Sequence, residues 1–203
     1  MVSNERYKNS ILSWGQIKEE LFKGCPITHG SLLMSRDAFL QAGRYDPQYK
    51  IASDYEFFTR IAAIGPVEIV PMVLYKYRIS PNSLSNSNVF ETSKEFLTSA
   101  TRFIRKNCFS NKKGKLVVVV HGTEAGCIAF EKIMKEEGIF HTRIYLMING
   151  IKDMNKSHRL YKQGKIYAFI ILSNAPAGNQ LINYLSEKGL KLNNDYFTLW
   201  SAL

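Results

Sequence analysis

Residues 115–121 constrain the fold of this chain most strongly, because they read K-L-V-V-V-V-H, an apolar run without alternation. Such a run suits a strand that is buried on both faces of a sheet. A helical pattern ending at Gly138 follows, and further apolar runs lie at 143–148 and 166–173, the second before a helical pattern at 178–188. Strands and helices in this order form parallel sheets with right-handed crossovers. We therefore expect a small, doubly wound parallel sheet.

The glycines after the first strand give only a weak nucleotide-binding signal. Gly122 and Gly126 are separated by three residues, and the central glycine of a dinucleotide-binding turn is lacking. The second strand ends at Asn149 and Gly150, without the acidic residue that would bind an adenosine ribose. A structural or regulatory module is favoured over a module that binds NAD, and no cofactor-binding residue is assigned.

The stretch 43–65 contains the clearest helix start of the N-terminal half. Ser53 is followed three residues later by Glu56, which fits a capping box and makes Asp54 the first helical residue. Gly65 and the proline after it end the pattern. An acidic residue at a helix N-terminus has a purely structural explanation, because the helix dipole favours a negative charge there.

The rest of the N-terminal half alternates helical and extended patterns. We expect a helix at 36–42, a strand at 67–79 in which apolar or aromatic residues alternate with mixed ones, and a helix at 88–107. The first of these helices would end at Gly43, a residue suited to a helix C-terminus.

Six short blocks of the N-terminal half occur in a set order and spacing. They read P-I-T-H-G-S at 26–31, M-S-R-D-A-F at 34–39, A-G-R-Y-D at 42–46, S-D-Y-E-F-F-T-R at 53–60, L-Y-K-Y-R at 74–78 and S-L-S at 83–85. In this order the blocks resemble the acceptor-side half of family 2 glycosyltransferases, which have the GT-A fold. The resemblance depends on the whole series, since no single block is specific.

The resemblance implies a reaction and a set of site residues. The aspartate that matches Asp54 is the general base of the family, and it removes the proton of an acceptor hydroxyl that attacks the anomeric carbon of a nucleotide-sugar. His29 and Ser31 match positions near the acceptor pocket, Asp46 is a candidate substrate contact, and Arg78 lies near the segment that approaches the nucleotide diphosphate. His29 also has a structural interpretation as a hydrogen-bonding residue, and Asp46 as a turn former.

One part of the family's machinery is lacking from this sequence. Family members hold Mg²⁺ or Mn²⁺ against the diphosphate with an Asp-x-Asp motif, and no Asp-x-Asp occurs in the 203 residues. The residues after Arg78 also lack the histidine that can reach the metal in many members. We therefore assign no metal ligand. We expect a donor-binding N-terminal half to be a missing partner, and the chain alone to transfer no sugar.

Together the patterns and the resemblance predict an α/β chain in two parts. Residues 1–109 form a partial GT-A-type transferase half, and 110–114 form a linker that reads S-N-K-K-G. Residues 115–203 resemble the Rossmann-like module that some family 2 transferases carry. The alternative to a transferase is a non-catalytic binding or scaffolding protein that uses this module, and the sequence leaves both open.

The charge of the chain favours anionic partners. Twenty-seven Lys and Arg against 17 Asp and Glu give a formal net charge of +10, which attracts nucleotide diphosphates, acidic lipid headgroups or nucleic acid. The cations are dispersed, and no aromatic-basic recognition motif accompanies them, so nucleic acid is the disfavoured partner. A nucleotide-sugar, a glycan acceptor and a peripheral contact with the membrane are the expected ones.

Three further features bear on location. The longest apolar runs, 116–120 and 166–172, are shorter than the roughly 18 residues of a membrane-spanning helix. Residues 1–25 contain no continuous apolar core of a signal peptide. The three cysteines are widely scattered, which favours a reducing compartment over a disulfide framework. The expected location is the cytoplasm, including the inner face of the membrane.

Overall fold

The computed structural model describes residues 13–76, 83–114, 116–144, 151–173, 175 and 177–201. The helices are α1 (Trp14–Glu20), α2 (Arg36–Gln41), α3 (Ser53–Ile61), α4 (Leu84–Ser87), α5 (Val89–Cys108), α6 (Glu124–Glu137), α7 (Ile151–Lys162) and α8 (Gly178–Glu187), with a 3-10 helix at His29–Ser31. The strands are β1 (Leu116–His121), β2 (Phe140–Ile144), β3 (Ala168–Leu172) and β4 (Tyr196–Leu199). Within these described ranges, no helix is both long enough and apolar enough to cross a membrane.

The four strands form one all-parallel sheet in the order β2-β1-β3-β4. Leu116 of β1 lies opposite Phe140 of β2, and Val118 lies opposite Ala168 of β3. The predicted parallel sheet in the C-terminal half is therefore confirmed. The order reverses between β1 and β3, so the loops that follow these two strands diverge to opposite sides of a crevice at the carboxyl edge.

Both faces of the sheet are covered, which explains why its strands are apolar without alternation. Ile170 of β3 belongs to a buried cluster with Ile104 of α5 and Phe130 of α6. The next residue back, Phe169, belongs to a second cluster on the other face with Leu185 of α8. Successive side chains of a strand point to opposite faces, so each strand residue is buried against one of the two helical layers.

Three predictions for the C-terminal half need correction. The second strand begins at Phe140 rather than at 143, and residues 145–150, the end of the predicted strand, lie outside the described residues. The helix Ile151–Lys162 and the strand Tyr196–Leu199 were not predicted from the sequence. The strand has only four residues, too few for a clear pattern. The helix is polar overall, but its few apolar residues recur at helical spacing and could have identified it.

The predicted capping box at Ser53 is wrong. Ala52 is the N-cap residue of α3 and makes no side-chain cap, so Ser53 is the first helical residue and Asp54 the second. The cap comes from another helix, because the Glu95 carboxylate of α5 accepts hydrogen bonds from the backbone N–H groups of Lys50, Ile51 and Ala52, at 2.7, 2.8 and 2.8 Å. Both oxygens of the Glu95 carboxylate are therefore hydrogen-bonded to the backbone of the turn just before α3.

The strand predicted at 67–79 is also absent where the structure describes it. Residues 66–76 have no regular secondary structure, and 77–79 lie outside the described residues. Val67 and Ile69 are partly buried against the core, whereas the six residues from Val70 to Tyr75 are exposed. The β-type sequence forms no strand because no described strand lies alongside it, and β propensity acts through neighbours of this kind.

One buried cluster contains residues from both halves of the chain. Phe22, after α1, contacts Phe103 of α5 at a ring-centroid distance of 4.9 Å and Phe197 of β4 at 5.7 Å. The backbone N–H of Trp200 also donates to the carbonyl of Lys23 at 3.0 Å. The N-terminal helices therefore pack directly on the sheet. The domain boundaries at 110–114 stay a prediction.

The cap from Glu95 predicts a measurable loss of stability. Glu95→Ala leaves three backbone N–H groups without their acceptor, so we expect the free energy of unfolding to fall by about 3 kcal/mol. Glu131→Ala, at an exposed position of α6, is the matched control and should change it by less than about 0.5 kcal/mol. Urea unfolding followed by circular dichroism measures both. Equal effects of the two substitutions would contradict the capping role of Glu95.

Candidate functional site

Asp54 lies in the first turn of α3 and is partly exposed. Its Oδ1 accepts a hydrogen bond from the backbone N–H of Tyr55 at 2.7 Å. Among the described residues, no Lys, Arg or His side chain forms an ion pair with this carboxylate. Asp54 therefore has a carboxylate that is supported by the helix N-terminus and can still accept a proton or a hydrogen bond from a ligand.

His29 and Tyr45 form a hydrogen-bonded pair against α3. His29 Nε2 lies 2.7 Å from the Tyr45 hydroxyl, and the two rings meet edge to face at 5.6 Å. The Tyr45 ring lies 4.5 Å from that of Phe57, and the His29 ring lies 6.1 Å from that of Phe58, which are the third and fourth residues after Asp54 on α3. Burial, and after it the negative charge of Asp54, raises the pKa of the Tyr45 phenol. An imidazole and a phenol thus lie against the helix that carries the Asp54 carboxylate.

An aromatic wall fixes the position of Tyr45. Its ring lies 4.5 Å from the ring of Phe57 and 5.7 Å from that of Phe39, and these two rings are 5.6 Å apart. Phe57 is fully buried, while Tyr45 is 36% exposed. Contacts of this kind between aromatic rings contribute beyond the area they bury. The wall therefore holds the phenol with its hydroxyl directed to His29.

A short loop with unusual backbone angles brings Tyr45 to this place. Gly43 and Arg44 have φ values of +82° and +61°, so two consecutive residues adopt the left-handed conformation after α2. Glycine accepts this conformation at little cost. Arg60 of α3 holds the loop by donating to the carbonyl of Ala42. The loop and α3 are thereby joined, and Tyr45 stays packed against α3.

Glu56 supports this arrangement from behind. Its two carboxylate oxygens accept from Arg60 Nε at 2.7 Å and from Arg60 Nη2 at 2.6 Å, at the four-residue spacing that suits an ion pair on a helix. The hydrogen bond to Glu56 is the main cause of a raised pKa of the Arg60 guanidinium. Glu56 is thus occupied by an ion pair that fixes the direction of Arg60, and Asp54 is the carboxylate of this helix that is left for a ligand.

Tyr75 lies against the backbone of Gly30, the residue after His29. A methyl group at Gly30 would lie 2.6 Å from Cζ and 3.1 Å from Cε2 of the Tyr75 ring. These distances are too short for a side chain, so the ring rests directly on the glycine backbone. Tyr75 is 43% exposed. A second partly exposed tyrosine therefore contacts the 3-10 turn that carries His29.

The remaining predicted site residues have varied positions. The Ser31 hydroxyl donates to the carbonyl of Thr28 at 2.9 Å and closes the 3-10 turn that begins at His29. Asp46 Oδ1 accepts from the backbone N–H of Gln48 at 2.9 Å, as a turn former does. Arg78 lies outside the described residues.

Two site residues were not identified from the sequence. Tyr45 and Tyr75 belong to two blocks of the resemblance, and Tyr75 also to a predicted strand, but neither was given a role in the site. The contact of Tyr45 with His29 joins residues sixteen positions apart, and no periodic pattern reports such a pair. A left-handed turn at Ala-Gly-Arg, followed by an aromatic residue, is the sequence signal that could have identified Tyr45.

The site does not offer the ligands of a divalent cation. In the described part of the chain, no three His, Cys, Asp or Glu side chains form a group that could hold a metal ion. Mg²⁺ and Mn²⁺ require several oxygen ligands, and the group near Asp54 supplies one carboxylate, one phenol and one imidazole. The divalent cation implied by the family resemblance is therefore not assigned to these residues.

A cavity of about 480 Å³ lies at the carboxyl edge of the sheet, far along the chain from Asp54. It is bordered by the ends of β3 and β4 and by the start of α8, with lining residues that include Ser173, Asn179, Gln180 and Thr198. Ser173 is already used, because its hydroxyl donates to the carbonyl of Ser201 at 3.2 Å. The cavity is a second candidate site of mixed polarity.

Comparisons with known proteins add no relative to this picture. No family model, no curated protein and no solved structure matches the chain significantly. The arguments about the site therefore depend on the residues of this chain and on their geometry.

The proximity of Asp54 and Tyr45 predicts a change in titration. Because the negative charge of Asp54 raises the pKa of the Tyr45 phenol, Asp54→Asn should lower that pKa. The measurement is an NMR titration of tyrosine labelled with ¹³C at Cζ, with the Tyr45 signal identified among the 11 tyrosines by its loss in Tyr45→Phe. Asp37→Asn, at an exposed position of α2, should leave the pKa unchanged. The same result for both asparagine variants would show that Asp54 is not next to the phenol.

Proposed function

We propose that this chain is the acceptor-side part of a family 2 glycosyltransferase of the GT-A type. In this proposal it transfers a sugar from a nucleotide-sugar to a glycan or lipid-linked acceptor, and Asp54 is the general base. The observation that carries the proposal is the partly exposed Asp54 carboxylate in the first turn of α3, beside the hydrogen-bonded pair of His29 and Tyr45. These groups are the types that bind sugar hydroxyls and accept a proton.

The proposed chemistry requires an ionised carboxylate near the acceptor hydroxyl. The hydroxyl oxygen forms a bond to the anomeric carbon, its proton passes to Asp54, and the bond from that carbon to the diphosphate breaks, with the electron pair leaving on the diphosphate oxygen. The N–H of Tyr55 donates to Asp54 Oδ1, and a helix N-terminus favours a negative charge. Asp54 is therefore the base in this proposal.

His29 and Tyr45 would position the acceptor in this proposal. The raised pKa of Tyr45 keeps the phenol protonated at neutral pH, so its oxygen can both donate and accept hydrogen bonds. His29 Nε2 is engaged with this phenol, which fixes the direction of the imidazole ring. A second sugar hydroxyl could then be bound next to the reacting one, and the orientation of the acceptor would follow from both contacts.

The donor and its metal belong to a partner in this proposal. The chain has no Asp-x-Asp motif, so a separate donor-binding polypeptide would hold the nucleotide and Mg²⁺ or Mn²⁺. Arg78 would approach the diphosphate, and the net charge of +10 would favour both this anion and acidic lipids. A cytoplasmic location at the inner face of the membrane is consistent with such an acceptor.

The cavity at the carboxyl edge of the sheet supports a second candidate function. Ligands of open parallel sheets bind at the carboxyl edge, and the cavity lies at this edge, between the ends of β3 and β4 and one strand away from the switch point between β1 and β3. In this alternative the chain is a non-catalytic binding or scaffolding protein. Its behaviour would then be independent of Asp54.

Binding of simple saccharides separates the two functions. We expect free hexoses, N-acetylhexosamines or their disaccharides to bind, as detected by saturation-transfer NMR. Asp54→Ala and Tyr45→Phe should weaken the binding about tenfold each, because one hydrogen bond to a polar ligand group is lost. Asp37→Ala is the control, since this carboxylate is exposed on α2.

The opposite result for these variants would count against the proposed site. If a saccharide binds equally well to the Asp54 and Tyr45 variants, or if none binds, the acceptor function is wrong. The same samples, with nucleotide-sugars and Mn²⁺ added, should give no transfer above a blank. Robust transfer by this chain alone would contradict the assignment of the donor half to a partner.

A further inference from the structure

Residues 67–76 have no regular secondary structure, and the backbone bends at Pro71 and Met72. Val67 and Ile69 pack against the core, and Tyr75 rests on Gly30. The other two odd-numbered residues, Pro71 and Val73, are exposed. The even-numbered positions between 68 and 76 are exposed, and in order they are Glu68, Val70, Met72, Leu74 and Lys76.

The exposed residues of this segment are unusually apolar for a protein surface. Val70, Met72 and Leu74 expose 58%, 68% and 69% of their surface, and the neighbouring Val73 exposes 88%. Six consecutive residues from 70 to 75 are apolar or aromatic and exposed. Contiguous exposed apolar surface of this kind marks an interaction site.

A backbone hydrogen bond from the Met72 N–H to the Val70 carbonyl, at 2.8 Å, closes the bend of the segment. Once this bend opens, the β-type sequence of residues 68–76 is a template for a strand from another chain. The question is which strand fits it.

The even-numbered residues of the segment are complementary to those of a second, antiparallel copy. If two copies of the segment lie antiparallel with Met72 beside Met72 of the second copy, Val70 lies opposite Leu74 and Glu68 lies opposite Lys76. Two-fold symmetry repeats both contacts, so the pair has two apolar contacts and two ion pairs around the central methionines. Opposite charges and apolar side chains placed directly across from each other stabilise antiparallel strands.

Pro71 fits the same register. Proline has no N–H group, so it is tolerated where a strand residue makes no ladder hydrogen bond. In an antiparallel pair, hydrogen-bonded and non-hydrogen-bonded positions alternate. When Met72 occupies a hydrogen-bonded position, Pro71 and Val73 occupy a non-hydrogen-bonded one, and the Met72 N–H exchanges the Val70 carbonyl for the Met72 carbonyl of the second copy.

We propose that residues 68–76 join two copies of this chain through a symmetric, antiparallel strand pair. Glu68 at one end and Lys76 at the other select a second copy, because each copy supplies the charge that the other requires. The net charge of +10 opposes association, but at about 0.15 M salt charges more than about 8 Å apart are largely screened. The Glu68–Lys76 contacts are shorter than this distance.

Reversal of the two charges tests the proposal. Sedimentation velocity at about 0.15 M salt, over protein concentrations from about 5 to 500 µM, should show a monomer–dimer equilibrium for the unchanged chain. Glu68→Lys and Lys76→Glu each place like charges opposite each other and should weaken the dimer at least about tenfold. The double variant Glu68→Lys/Lys76→Glu restores both pairs and should dimerise like the unchanged chain.

Two further variants fix the register and guard against indirect effects. Met72→Cys should form a disulfide-linked dimer under mild oxidation, because the two-fold axis passes beside this residue. Lys165→Glu and Lys165→Cys, at an exposed position before β3, should leave the dimer unchanged and form no linked dimer. A chain that stays monomeric, a dimer that both single charge variants retain, or a double variant that fails to dimerise while it remains folded would each overturn the proposal.

Discussion

The Glu95 carboxylate is the interaction on which the candidate site depends. From α5 it accepts three backbone hydrogen bonds from residues 50–52, and so it determines where α3 begins. The first turn of α3 carries Asp54, whose place is therefore set by a helix that starts 35 residues later in the chain. Next to Glu95, the Phe96 ring stacks on Tyr55 at 4.3 Å, and the Tyr55 hydroxyl donates to the carbonyl of Leu21 at 2.6 Å. The junction of α3 and α5 is thus held by both polar and aromatic contacts.

The elements with strong local signals could be predicted from the sequence. The valine run of β1 and the helices α2, α5 and α6 are confirmed, because their apolar patterns and terminal residues act over a few positions. Gly138, with φ +65°, ends α6 as expected. These features are local, so a reading of consecutive residues is enough to find them.

The predictions that failed concern features that are determined by residues distant in the sequence. Ser53 has the right sequence for a cap, but a carboxylate from α5 occupies the same turn, and the helix starts one residue earlier than the capping box requires. The segment 67–76 has a β-type sequence, but a strand requires a neighbour that the described chain does not supply. The pair of His29 and Tyr45 likewise depends on the left-handed turn at Gly43, which positions a side chain and leaves no periodic trace.

The sheet supports the N-terminal half as well as forming its own core. Phe22 contacts both Phe103 and Phe197, and Trp200 meets Phe96 edge to face at 5.3 Å. Phe96 is the residue that also stacks on Tyr55, so a chain of aromatic contacts runs from the end of β4 to the helix that carries Asp54. The N-terminal half therefore packs on the sheet through a continuous series of aromatic rings.

The most direct test of the proposed acceptor site is the NMR response of the Asp54 carboxyl carbon to a saccharide. The protein would carry ¹³C-labelled aspartate, and the Asp54 signal would be identified by its loss in Asp54→Asn. The account predicts that a binding hexose or N-acetylhexosamine shifts this signal while the signal of the exposed Asp37 stays in place. A saccharide that binds without moving the Asp54 signal, and that instead perturbs residues around the cavity between β3, β4 and α8, would contradict the account.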